Sequence, residues 1–121
     1  MKFQLNNDQS INLIRSYEIG VIRIDETDFS SAVIVTPQSL NSLELTAISQ
    51  LAASHFESLL DFKPELVILG TGPTQVFPDF ALSQCLANRQ IGLEVMNSSA
   101  ASRTYNVLAS DGRKVVALIL P

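Results

Sequence analysis

Residues 65–72 read Glu-Leu-Val-Ile-Leu-Gly-Thr-Gly. Leu66 to Leu69 are apolar at every position, so a strand here is covered on both faces, as strands of parallel sheets are. Two comparable runs follow: Ile91-Gly-Leu-Glu-Val-Met96 and Lys114-Val-Val-Ala-Leu-Ile-Leu120. Between them lie two amphipathic stretches, one from Pro78 to Arg89 and one over 98–109. Alternating strand and helix patterns of this kind predict a βαβαβ unit with a parallel sheet. Such sheets place ligand sites at the carboxyl ends of their strands, which draws attention to Gly70-Thr71-Gly72.

Working outward, Pro78 suits a first helical position and Asp79 the positive end of a helix. Leu82, Cys85 and Leu86 form that helix's inward stripe, which predicts a buried, unreactive Cys85. The last helix is expected to start at Ser98 or Ser99, both good caps. It should end near Ser110-Asp111-Gly112, with Gly112 in a left-handed cap. Upstream, Ser54-His55-Phe56-Glu57 matches a capping box and predicts a helix of about two turns, stopped by Lys63-Pro64. Residues 38–52 are polar and irregular and carry no assigned structure. Residues 11–36 read as a β-meander. Strands at Ile11–Arg15 and Gly20–Ile24 precede a polar turn at 25–28, and Ala32-Val33-Ile34-Val35 is a buried strand closed by Thr36-Pro37.

The chain has 121 residues, one domain's length, with an N-terminal meander (1–37), an irregular segment (38–52) and the βαβαβ unit (53–121). Its 46% hydrophobic and 17% charged residues suit a folded core. The net charge of −4 and scattered basic residues disfavour nucleic acid and anionic membrane surfaces. No run reaches transmembrane length, so no membrane insertion is expected. The N-terminus resembles neither a secretory signal nor a transit peptide, which leads to a cytoplasmic expectation. Cys85 and His55 are the only cysteine and histidine. No metal site, cofactor or catalytic residue is therefore expected, and Tyr17 and Tyr105 read as packing residues.

Three features bear on a ligand: the Gly70-Thr71-Gly72 loop, Glu94 and Arg103. Gly70-Thr71-Gly72 stands between strand and helix, where backbone N–H groups often cradle phosphates. Gln75 occupies the place of a third glycine, so the dinucleotide fingerprint is incomplete. The plainer reading is that the glycines turn the chain sharply off a buried strand, with disfavoured dihedrals or a close backbone approach. Glu94, in an expected interior strand, needs solvent or a cation, and Arg103 is the nearest candidate. On a helical wheel Ser99, Ser102, Arg103, Asn106 and Ser110 share one arc. Ala101, Thr104, Tyr105 and Leu108 face the other way, and Ala100 and Val107 widen that apolar arc.

Several of these residues also carry a family resemblance. Pro64-Glu65-Leu66 leads to Gly70-Thr71-Gly72, followed by Gly92-Leu93-Glu94-Val95-Met96. Next come Ala100-Ala101-Ser102-Arg103-Thr104-Tyr105-Asn106-Val107-Leu108 and then Arg113, while Ser31-Ala32-Val33-Ile34-Val35-Thr36-Pro37 fits earlier in the chain. The chain resembles the family of small α/β domains of unknown function that includes a mitochondrial respiratory complex I assembly factor and an adipogenesis-associated domain protein. The resemblance implies a three-layer α/β domain, with a mixed central sheet, helices on one side and the meander as the opposite layer. It implies no reaction and no cofactor, and it draws attention to Arg103, Thr104 and Asn106. Arg103 is accordingly expected to hydrogen-bond Glu94 or residues 70–76. The expected role is a non-enzymatic interaction or assembly-factor-like module with a protein partner. The alternative is a small-anion site made by Gly70, Thr71, Gly72 and Arg103, with Glu94, Thr104 and Asn106 around it.

Overall fold

The computed structural model describes residues 11–121; the first ten residues of the expected meander lie outside them. In chain order the strands and helices are β1 (Ile14–Glu18), β2 (Val21–Ile24), β3 (Thr27–Phe29), β4 (Val33–Val35), β5 (Leu40–Ser42), α1 (Ala53–Ser58), β6 (Leu66–Gly70), α2 (Gln84–Asn88), β7 (Gly92–Met96), α3 (Ser98–Ser110) and β8 (Val115–Ile119). Short 3-10 turns at Ile48–Gln50, Leu59–Phe62 and Phe80–Ser83 flank the first two helices.

The central sheet has the order β5-β4-β8-β6-β7. Strands β8, β6 and β7 run parallel, while β4 is antiparallel to β8 and β5 to β4. The sheet is mixed, as the resemblance implied. Strands β6 and β8 sit inside it, and almost every side chain they carry is buried. Full burial of a Val, Leu or Ile is worth about 1.5–3 kcal/mol, which accounts for runs that are apolar on both faces. One face packs Ile68, Val115, Ala117 and Ile119 against α3 and the β1-β2-β3 sheet. The other packs Val67, Leu69, Val116 and Leu118 against Phe56 and Leu59 near α1 and Leu86 of α2. The result is the expected three-layer α/β fold, with one difference of detail: α3 shares its layer with the three-stranded sheet, opposite α1 and α2.

The N-terminal half departs from its sequence reading in three places. The polar stretch at 25–28 is a tight two-residue turn at Asp25-Glu26, after which Thr27 already pairs with Ile24 in β3. Asp25 takes φ 53° to make that turn. Strand β4 leaves the meander and joins the central sheet, pairing Val33 with Ile119 and Val35 with Ala117. The segment 38–52 is ordered by its few apolar residues and its caps. Leu45 and Leu51 are buried, and the Gln50 side chain accepts from the N–H groups of Thr46 and Ala47.

Helix starts also differ from their predicted caps. Asn97 caps α3 by accepting from Ala100 N–H at 2.8 Å, so the two serines lie inside the helix. Asp79 caps the turn before α2, accepting from Ala81 N–H, and Pro78 lies outside. At α1 the Ser54–Glu57 capping box does not form. Instead His55 Nδ1 accepts from Ala52 N–H at 2.9 Å. The end of α3 follows expectation: Gly112 has φ 78°, and Arg113 N–H reaches Leu108 O while Gly112 N–H reaches Ala109 O. That pair of bonds is a Schellman motif.

Candidate functional site

Gly70 ends β6 between Met96 and Ile119 of its neighbours. A Cβ on Gly70 would lie 2.9 Å from Ser98 Oγ, 3.0 Å from Ala101 Cβ and 3.1 Å from Ile119 Cδ1. Side chains of α3 and β8 crowd this point of the strand so closely that a Cβ has no room. Gly72 takes φ +93°, a conformation that L side chains rarely adopt. Gly72 thus has the disfavoured dihedral expected of it, whereas Gly70 is required by side-chain crowding and not by the expected dihedral or backbone approach.

Around them the loop closes on itself. Thr71 N–H donates to Met96 O, and Gly72 N–H donates to Ser98 Oγ at 2.8 Å. Ser98 Oγ donates in turn to Leu120 O at 2.6 Å, while Ser98 N–H donates to Gly72 O. The Thr71 hydroxyl donates to Thr74 O and accepts from Val76 N–H. The two N–H groups that would cradle an anion are thus engaged within the protein, and Ser98 is the residue that sequence reasoning missed here. Its signal was available: a small hydroxyl residue at the start of the helix that faces a Gly-x-Gly turn.

The other expected site residues do not converge on this loop. Arg103 Nη1 donates to Ser99 Oγ at 2.8 Å, an exposed contact one helical turn away. The expected bond from Arg103 to Glu94 or to residues 70–76 is therefore absent, because Arg103 projects from the side of α3 that faces β1. There it lines a small polar cleft with Arg15, Ser16, Tyr17 and Asn106. Glu94 is exposed on β7, which is the edge of the central sheet and not an interior strand. Solvent, not a cation, satisfies it. The Thr104 hydroxyl contacts Met96 Sδ at 3.4 Å.

Asn106 has a structural bond of its own. Its Oδ1 accepts from Ile14 N–H and its Nδ2 donates to Ile14 O, both at 2.8 Å. The amide thus pairs with β1 as a neighbouring strand would. Tyr105, fully buried, donates its hydroxyl to Asn12 O at 2.8 Å. Burial, with a smaller contribution from Asp25, pushes the Tyr105 phenol well above its ordinary value. Cys85 is half-buried against Leu86 and its neighbours, less enclosed than its stripe predicted. Val107, placed on the apolar arc, is 63% exposed, while Ser102 is buried with its hydroxyl on Ser98 O.

One surface feature was not anticipated. Just past the Gly-Thr-Gly turn, Val76, Phe77 and Phe80 are exposed, the two phenylalanines at 70% and 63%. They lie in Val76-Phe77-Pro78-Asp79-Phe80, a non-periodic stretch that neither α2 nor the sheet absorbs. The sequence signal was a pair of aromatic residues bracketing Pro78, neither on the Leu82-Cys85-Leu86 stripe.

Residues 14–120 match the family described as protein of unknown function (DUF498/DUF598). The chain belongs to this family. It is the family that the motifs at 64–72 and 100–108 resembled. A crystal structure of a protein from Bordetella parapertussis is 30% identical, covers 93% of this chain and 97% of its own, and superposes with a TM-score of 0.86. A Bordetella pertussis protein described as an Mth938-like domain is 25% identical, with coverage of 100% and 92% and a TM-score of 0.84. The fold is accordingly Mth938-like. A "13 kDa major membrane protein" of Francisella tularensis subsp. holarctica (strain LVS) is 30% identical over 73 residues, 60% of this chain and 59% of that protein. The match thus spans under two-thirds of that relative's length. No helix among the described residues is long and apolar enough to cross a membrane.

Proposed function

We propose that this protein is a non-enzymatic interaction module, assembly-factor-like, that docks a partner protein through the loop at Val76–Phe80. The observation that carries this reading is the pair of exposed phenylalanines. Leaving a Phe in water forgoes about 1.5–3 kcal/mol relative to burying it. Two such residues within four positions, beside Val76, form a ready anchor. Aromatic side chains are the residues that dominate protein interfaces. Among the described residues, the other exposed large apolar side chains are aliphatic: Ile19 and Val21 at the β1–β2 hairpin and Val107 alone on α3.

Two further points support a module without chemistry of its own. The one histidine is engaged as a helix cap through Nδ1. An anion at the Gly-Thr-Gly loop would have to displace Ser98 Oγ from Gly72 N–H, which weighs against the loop as a ligand cradle. Its proposed location is the cytoplasm. Docking to a membrane-bound partner would account for the membrane-protein name of the Francisella relative without a spanning helix in this chain.

The test is affinity capture from native lysate with quantitative comparison of the intact protein and the Phe77→Ala/Phe80→Ala double variant. A defined set of proteins should be retained by the first and lost with the second. Equal recovery with both proteins would reject the loop as the docking element.

A further inference from the structure

At the other end of the sheet from that loop lies a cavity of about 590 Å³. It opens beside the start of β8 and the turn that precedes β6, so its walls include Pro64, Val115 and Val116. Phe62 and Ala109 add further apolar wall, and Thr36, Gln38 and Ser39 close it from the loop after β4. Its volume falls within the range of roughly 300–1,000 Å³ typical of small-molecule sites.

Several acceptors beside this cavity are already engaged. Asn12 Nδ2 donates to both Thr36 O and Ser39 O, and Asn12 N–H donates to Pro37 O. The Thr36 hydroxyl oxygen accepts from the N–H groups of Gln38 and Ser39, which fills both its lone pairs. Its own proton must therefore go to Ser39 Oγ, 2.7 Å away. The Ser39 hydroxyl proton is then left to donate outward.

Charge points the same way. Arg113 and Lys114 line the cavity and no acidic residue does. Arg113 Nε is paired with Glu65 at 3.2 Å, while Lys114 makes no ion pair among the described residues. Glu65 offsets Arg113, so Lys114 is the cation left at the rim of this apolar interior, in a chain of net charge −4.

We propose that this cavity binds a small apolar monoanion, with its hydrocarbon against Phe62, Pro64 and Val116 and its carboxylate on Lys114 and the Ser39 hydroxyl. The site is separate from the Val76–Phe80 loop and does not depend on the function proposed for it. Decanoate is a suitable probe, with decanol as its neutral counterpart, added to the full-length protein and followed by amide chemical shifts. Decanoate should shift Ser39, Gly112 and Val115 saturably and bind at least about fivefold more tightly than decanol, the equivalent of about 1 kcal/mol from one partly exposed charge contact. Lys114→Glu should remove that preference while decanol binding persists. Lys114 is exposed, so this variant is expected to fold; an unchanged amide spectrum elsewhere verifies it, and Ser39→Ala serves as the second variant. The proposal fails if decanoate causes no saturable shift at these amides, if the two probes bind equally, or if the shifts map to residues 76–80.

Discussion

Ser98 Oγ is the pivot between the Gly-Thr-Gly turn and the end of β8, because it accepts from Gly72 N–H and donates to Leu120 O. Ser98→Ala leaves a buried donor without its acceptor, at an expected cost of about 1–3 kcal/mol. Urea denaturation measures it, and a loss of under about 0.5 kcal/mol would show that the turn stands without this bond. Arg103 contrasts with it. Its bond to Ser99 is exposed, so Arg103→Ala should change stability by less than about 0.5 kcal/mol in the same assay. Glu65 adds a pH effect of known sign. Its carboxyl is held below the ordinary carboxylate value, chiefly by the hydrogen bond from Arg113 and then by Lys114 N–H. A folded-state value lower than the unfolded one gives stability that is present above the unfolded pKa and lost as pH falls through the folded one. The window is therefore acidic. The drop in denaturation midpoint between about pH 7 and about pH 3 should be slightly smaller in Glu65→Gln than in the wild type, with Arg113 and Glu65 both exposed and screened.

Helix α3 does most of the joining between layers. Ala101, Tyr105 and Ala109 recur every fourth residue and face the central sheet, and Ala101 allows the close approach seen at Gly70. Asn106 meanwhile holds β1 through both its amide atoms. Asn106→Ala should loosen the β1-β2-β3 layer before the central sheet. Hydrogen exchange at Ile22 and Ile24 should accelerate more than at Val67 and Leu69; equal acceleration of both groups would mean that the layers open as one unit. The helix itself was legible in the sequence from its period and from Gly112. The role of Asn106 was not, because its partner Ile14 lies 92 residues away and a helical wheel records only polarity. The same limit placed Ser102 among solvated residues, although β1 and the helix's own first turn enclose it.

Across the molecule, the βαβαβ half was readable because its strands are apolar on both faces and its helices are periodic. The N-terminal half was only partly readable. Strand β4 is three residues long, and nothing local distinguishes pairing with β3 from pairing with β8. Glu94 was misplaced inside the sheet because strand order is not written in any one strand, whereas an edge position lets a carboxylate face water. The exposed Phe77 and Phe80 were overlooked for a related reason: Phe77 precedes the predicted helix and Phe80 lies off its inward stripe, in a 3-10 turn. A photo-crosslinking amino acid placed at position 77 tests docking through these two residues most directly, with position 107 on α3 as a comparably exposed control. Discrete adducts in living cells are expected from position 77 and none from position 107. Adducts from 107 alone, or none from either position, would contradict it.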